Sequence, residues 1–158
     1  ELIFDQGLGD LFSIRVAGNI VNDDILASIE YAVKYAGSRV LMVLGHTACG
    51  AIKSAKQGVK DGHITSLLTK IEPAISRAML LEDKKYLFPD NVAYANVEKS
   101  LEEILVRSEV VKDLFAREQI GLVGGVYDVG TGAVDFFKNL TQKREATRLM
   151  IVEKNGNH

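Results

Sequence analysis

The single cysteine of this chain lies three residues after a histidine, in Gly45-His46-Thr47-Ala48-Cys49-Gly50-Ala51, directly behind the apolar run Val40-Leu41-Met42-Val43-Leu44. A thiolate and an imidazole are good zinc donors, and a thiol at the start of a helix ionises more readily than a free one. His-x-x-Cys is nonetheless half of a tetrahedral set. The other histidines, His63 in a polar, glycine-containing stretch and His158 at the end of the chain, do not complete it and read as solvated. A free cysteine is also a common small core hydrophobe, so a packing role for Cys49 stands beside the metal role. Gly45 and Gly50 leave room for backbone to approach a metal or small ligand. They share the G-x-x-x-x-G spacing of a phosphate loop, but Ala51 and Ile52 follow, and Lys53-Ser54 come two positions late. Gly7-Leu8-Gly9 is only the beginning of a dinucleotide fingerprint, and no G-x-S-x-G nucleophile elbow occurs.

The elements around this stretch read as alternating strands and helices. Residues 11–16 (Leu-Phe-Ser-Ile-Arg-Val) have strand-like alternation. Asn22-Asp23-Asp24 offers a helix cap and an acidic first turn, Ile25, Ile29, Ala32, Val33 and Ala36 recur at helical spacing, and Gly37 suits the stop. Arg39 to Leu44 reads as a parallel strand buried on both faces, followed by a helix from about Ala48 to Gln57. A helix is expected from Ser66 to Leu80, with Pro73 as a break or kink. Asp90 can cap a longer helix whose Val97, Leu101, Ile104 and Leu105 share a face, and a short helix spans Glu109 to Glu118. Ile120 to Tyr127 reads as the last core strand, its glycines allowing close backbone approach. Gly130-Thr131-Gly132 then turns into an edge hairpin strand at residues 133–137. The fold class is α/β: a mostly parallel central sheet flanked by helices. Ligands of such sheets bind beyond the carboxyl ends of the strands, which is where His46 and Cys49 fall.

The 158 residues suit one domain with a full core, and no linker, repeat or low-complexity tract divides them. A net charge of -2 gives no reason to expect nucleic acid or an anionic membrane as partner. No apolar run approaches the ~20 residues of a membrane-spanning helix. One cysteine cannot form an internal disulfide, which suits a reducing cytoplasm.

Four blocks, taken together and in order, resemble the β-class carbonic anhydrases. They are residues 9–19 (Gly-Asp-Leu-Phe-Ser-Ile-Arg-Val-Ala-Gly-Asn), 28–33 (Ser-Ile-Glu-Tyr-Ala-Val), 43–51 around His46 and Cys49, and 121–128 (Gly-Leu-Val-Gly-Gly-Val-Tyr-Asp). The resemblance implies a single β-carbonic-anhydrase-like domain over residues 1–158. It implies a zinc lyase that reversibly hydrates carbon dioxide to bicarbonate through a zinc-bound hydroxide, with Zn2+ held by two cysteines and a histidine. His46 and Cys49 match the histidine and the second cysteine. Gly50 matches a glycine whose N–H orients substrate. Phe12 and Tyr31 match aromatic positions lining a narrow apolar pocket near a subunit boundary, and Ala17 falls where relatives often carry a larger apolar residue. Phe12 and Tyr31 also admit a plainer role as core aromatics. A homodimer or homotetramer is implied, with carbon dioxide and bicarbonate as the small-molecule partners.

The family's first ligand lies in a Cys-x-Asp-x-Arg motif on a core strand just upstream of the region matching Glu1 to Gly7, and that motif is not in this sequence. No residue of this chain matches the Asp–Arg pair. The expectation is an N-terminally truncated relative lacking its N-terminal helix region and first core strand, favoured over a divergent non-catalytic one by the non-Met start. Either way the metal site is incomplete, because two donors hold zinc far more weakly than three with a supporting shell. Low turnover is therefore expected. The alternative is a catalytically inactive, oligomeric binding or structural domain; a weaker one is a hydrolase acting on a heavier analogue of carbon dioxide.

Overall fold

A computed structural model describes residues 1–80 and 86–140. After 3-10 turns at Leu2–Phe4 and Ala17–Asn19 come α1 (Asp23–Lys34), β1 (Val40–His46), α2 (Gly50–Lys56), α3 (Gly62–Thr69), α4 (Glu72–Met79), α5 (Asn91–Arg107), α6 (Glu109–Ala116), β2 (Gly121–Tyr127) and β3 (Val134–Leu140). The sheet order is β1-β2-β3. β1 and β2 pair in parallel, from Val40 opposite Gly121 to His46 opposite Tyr127, while β2 and β3 form an antiparallel hairpin with a register shift at Gly124/Gly125. The architecture is therefore α/β with a mixed sheet, its antiparallel part being the expected C-terminal hairpin. Among the described residues no helix is long and apolar enough to cross a membrane.

Local chemistry accounts for the elements around the site. Asn22 Oδ1 accepts from Ile25 N (2.9 Å) to start α1, and Asp90 Oδ1 accepts from Ala93 N (3.3 Å) to start α5. Ser108 caps α6 by accepting from Val111 N, and its hydroxyl donates to Glu30 Oε1 on α1 at 2.6 Å. α5 is the central helix: Val97, Leu101 and Ile104 are almost wholly buried against the sheet. Two glycines set that distance. A Cβ at Gly45 would lie 2.8 Å from Val97 Cγ2, and one at Gly124 would lie 3.0 Å from both Leu101 and Val97. α5 is also stitched to the turn Ala17–Asn19, since Asn96 Nδ2 donates to Gly18 O (2.8 Å) and Ser100 Oγ donates to Asn19 O (3.0 Å).

Four expectations change. Residues 11–16 form no strand. Their alternation is real, because Ile14 and Val16 pack on the core while Ser13 and Arg15 face solvent, but no strand among the described residues pairs with them. The helix expected over residues 66–80 is two helices. The chain bends at Lys70 and Ile71, Pro73 falls in the first turn of α4, where its missing N–H costs nothing, and α3 begins earlier, at Gly62. His63 is consequently helical, though exposed as expected. β1 is not buried on both faces: Val43 and Gly45 are buried towards α5, whereas Met42 and Leu44 are half-exposed. β1 is an edge strand among the described residues.

Candidate metal and substrate site

The carboxyl end of β1 is fastened to the hairpin turn. Thr47 N continues the ladder by donating to Tyr127 O (2.9 Å). Its hydroxyl donates to Asp128 Oδ1 (2.8 Å) and accepts from Val129 N (3.1 Å). The other carboxylate oxygen of Asp128 accepts from Thr131 N and Thr131 Oγ1, at 3.0 and 2.7 Å. Hydrogen bonds from Thr131 and then Thr47 hold the Asp128 carboxyl below its ordinary pKa.

His46, the last residue of β1, is exposed. Its Nδ1 lies 2.9 Å from Thr47 O. A carbonyl oxygen only accepts, so Nδ1 is the donor in this contact, and in the neutral ring Nε2 is then the nitrogen with a lone pair for a ligand. The chain then reverses at Ala48, whose φ of 54° is left-handed, an uncommon conformation for a residue with a Cβ. This reversal sets Cys49 at the N-cap of α2, where its carbonyl accepts from Lys53 N (3.0 Å) and its side chain makes no capping bond. Cys49 is 6% exposed and belongs to the main core cluster. It also lines an open concavity of about 480 Å3, with Ile52, Lys53, Lys56 and Asp90 on its walls. His46 is not on that wall.

The donor types suit zinc. Among the described residues no three His, Cys, Asp or Glu side chains come together as a metal site. His63 sits on α3, and His158 lies outside the described residues. Residues 1–158 contain no second cysteine.

The residues matched to the substrate pocket divide. Gly50, the first residue of α2, faces open space: a Cβ there would meet nothing within 4 Å. Phe12 and Tyr31 do meet, with ring centroids 6.2 Å apart, and Tyr31 continues to Tyr35 at 5.6 Å. They are not core aromatics, being 47% and 57% exposed, because among the described residues no element covers residues 11–16. Ala17 opens the 3-10 turn and is exposed. None of the three lines the concavity at Cys49.

Sequence reasoning gave Thr47 and Asp128 no role. Asp128-x-Gly-Thr131-Gly has the side-chain-capped turn signature that could have drawn attention to Asp128. Its bond to Thr47, just past the end of β1 and 81 positions away, has no local signal.

Comparison with known proteins agrees with this architecture. The carbonic anhydrase family profile matches residues 1–134. A carbonic anhydrase of Mycolicibacterium smegmatis is 32% identical over 142 residues, which cover 89% of this chain and 69% of that protein. The Coccomyxa β-carbonic anhydrase, solved in complex with acetazolamide, superposes with a TM-score of 0.74 at 26% identity, covering 89% of this chain and 67% of that one. A tetrameric β-carbonic anhydrase of Sordaria macrospora shares the fold, with a TM-score of 0.74 at 23% identity over 89% of this chain and 75% of that one. The chain thus spans about two thirds of the length of the first two relatives. With most of its length matched to the family profile and its sheet and helices superposing on solved members, the chain belongs to the β class of the carbonic anhydrase family.

Proposed function

We propose that this chain carries part of a zinc-dependent site for the reversible hydration of carbon dioxide, with His46 Nε2 and Cys49 Sγ as two of the metal donors. The observation that carries the reading is the bend at residues 46–50. Thr47, pinned to Asp128, presents an imidazole in the tautomer that leaves Nε2 free, three residues before a thiol at a helix N-cap. Bound zinc supplies Lewis acidity, which makes a nucleophile of water near neutral pH. The chain's own residues orient the donors, and Gly50 keeps the space before the α2 N-terminus clear for a small substrate. Carbon dioxide is apolar and needs no charged clamp, so Phe12, Ala17 and Tyr31 suit an apolar wall once a second subunit covers them.

That cover is the reason to propose a homodimer or homotetramer. Leu8, Phe12, Tyr31 and Tyr35 leave 97%, 47%, 57% and 69% of their surface in water, an unusual apolar exposure for one helix and the segment beside it. The tetrameric Sordaria relative supports the same assembly.

Two donors make a weak site, so we expect residues 1–158 alone to bind zinc substoichiometrically and to hydrate carbon dioxide slowly. The donor count equally supports a second reading, a non-catalytic oligomeric domain. Zinc per chain, measured by elemental analysis on material of verified mass together with stopped-flow carbon dioxide hydration, separates the two. Zinc that disappears in H46A and C49S supports the metal site. Zinc-free protein whose assembly is unaffected by either substitution supports the second reading. Turnover equal to that of an intact relative contradicts the incomplete site.

A further inference from the structure

We propose that the concavity beside Cys49 is a docking site for a small oxyanion, held at its mouth by the ammonium groups of Lys53 and Lys56. Bicarbonate is the anion it receives, an identification that rests on the function proposed above. The presence of a cationic mouth does not rest on it.

The placement follows from helical geometry. Positions 49, 52, 53 and 56 fall on one stripe of a helix. Along α2 that stripe runs from a buried thiol, through buried Ile52, to two exposed lysines, and all four residues line the same space of about 480 Å3. Basic residues in the last turn of a helix suit its dipole. The dipole does not explain why both line one concavity. Among the described residues Lys53 and Lys56 make no ion pair, a condition they share with Lys34, Lys60 and Lys70, whereas Lys99, Lys112 and Lys138 each lie within 4 Å of a glutamate.

Among the described residues one carboxylate faces them, that of Asp90. Its Oδ1 already accepts from Ala93 N at the start of α5, a helix of 17 residues whose dipole offsets part of the negative charge. Among the described lining residues two ammonium groups stand against one engaged carboxylate, a net positive balance. Such a mouth ignores neutral carbon dioxide and attracts the anion into which hydration converts it. Beyond the lysines the lining includes Ala48, Ile52 and Cys49, so the anion is drawn towards the residue proposed as a metal donor.

Binding can be read without turnover. Amide chemical shifts of the 158-residue chain are followed while sodium bicarbonate replaces sodium chloride at constant pH and ionic strength. Saturable shifts are expected for residues 48–57. K53Q/K56Q should weaken the apparent affinity about tenfold, K53R/K56R should stay within about twofold, and D90N should tighten it about twofold; these are magnitudes typical of exposed, screened charges. K112Q on α6 should change nothing. Absence of a saturable response, or an unchanged affinity in K53Q/K56Q, overturns the proposal. Zinc-dependent turnover with no such binding sinks this inference while leaving the proposed function intact. Saturable bicarbonate binding by a chain that takes up no zinc does the reverse.

Discussion

Across the bend at residues 46–50 two side chains are held by opposite means. His46 stands in solvent at a strand end, and its ring is oriented by hydrogen bonds: its own to Thr47 O, and those that tie Thr47 to the Asp128 turn. Cys49 makes no side-chain hydrogen bond as a cap and is held by packing, 6% exposed in the core cluster that includes Ile52 and Ala55. Hydrogen bonds set angles and respond to pH. Packing sets depth and responds to volume. Two positions proposed as donors to one metal therefore fail under different insults, and each can be disturbed while the other is watched.

The largest effect should come from the packed side. Ile52 is 4% exposed and follows Cys49 by one helical turn. I52A leaves a cavity and should cost about 3 kcal/mol in chemical denaturation. Cys49 should then react faster with a thiol reagent, while the acid limb of the stability profile keeps its shape. An unchanged thiol rate would show that packing does not fix Cys49.

The polar side should give less. T47V removes the hydroxyl that donates to Asp128 and accepts from Val129 N, and should cost about 1–2 kcal/mol. Thiol reactivity should barely move. Equal acceleration of the thiol reaction in T47V and I52A would merge the two regions into one.

The smallest effect is on pH. In the folded chain the Asp128 carboxyl titrates below its ordinary value of 3.8, through bonds from Thr131 and then Thr47. A lowered carboxyl pKa stabilises the fold fully above the ordinary value, and the contribution is lost as pH falls from there through the depressed one. Acid unfolding of D128N should therefore lack that part of the slope below about pH 4, and T47V should lose a share of it. An acid limb identical in wild type and D128N would remove Asp128 from the clamp.

How much of this was legible depended on range. The cap at Asn22, the stop at Gly37, the cap at Asp90 and the hairpin turn at residues 130–132 are local chemistry, and the chain obeys them. The face of α5 was legible because Val97, Leu101 and Ile104 repeat at helical spacing. Residues 11–16 misled because alternation records which side of a segment is buried, and Ile14 and Val16 are partly buried; it does not record whether a neighbouring strand exists. Pro73 marked a break but not its position, since a proline is tolerated in a first turn. The exposure of Phe12 and Tyr31 was hidden for a related reason: aromatic residues read as core unless the covering element is known. The histidine and cysteine were visible as a pair of residue types, whereas the Thr47–Asp128 bond that orients one of them joins residues 81 apart.

Cobalt(II) substitution tests the proposed metal site most directly, because a thiolate ligand gives a charge-transfer band that imidazole and carboxylate do not. C49S is the decisive control: serine is a good N-cap, so the fold should hold to within about 0.5 kcal/mol while the sulfur is lost. The expected result is a thiolate-to-cobalt band in the wild-type chain, weakened in H46A and abolished in C49S. A wild-type spectrum indistinguishable from that of C49S would contradict Cys49 as a metal donor.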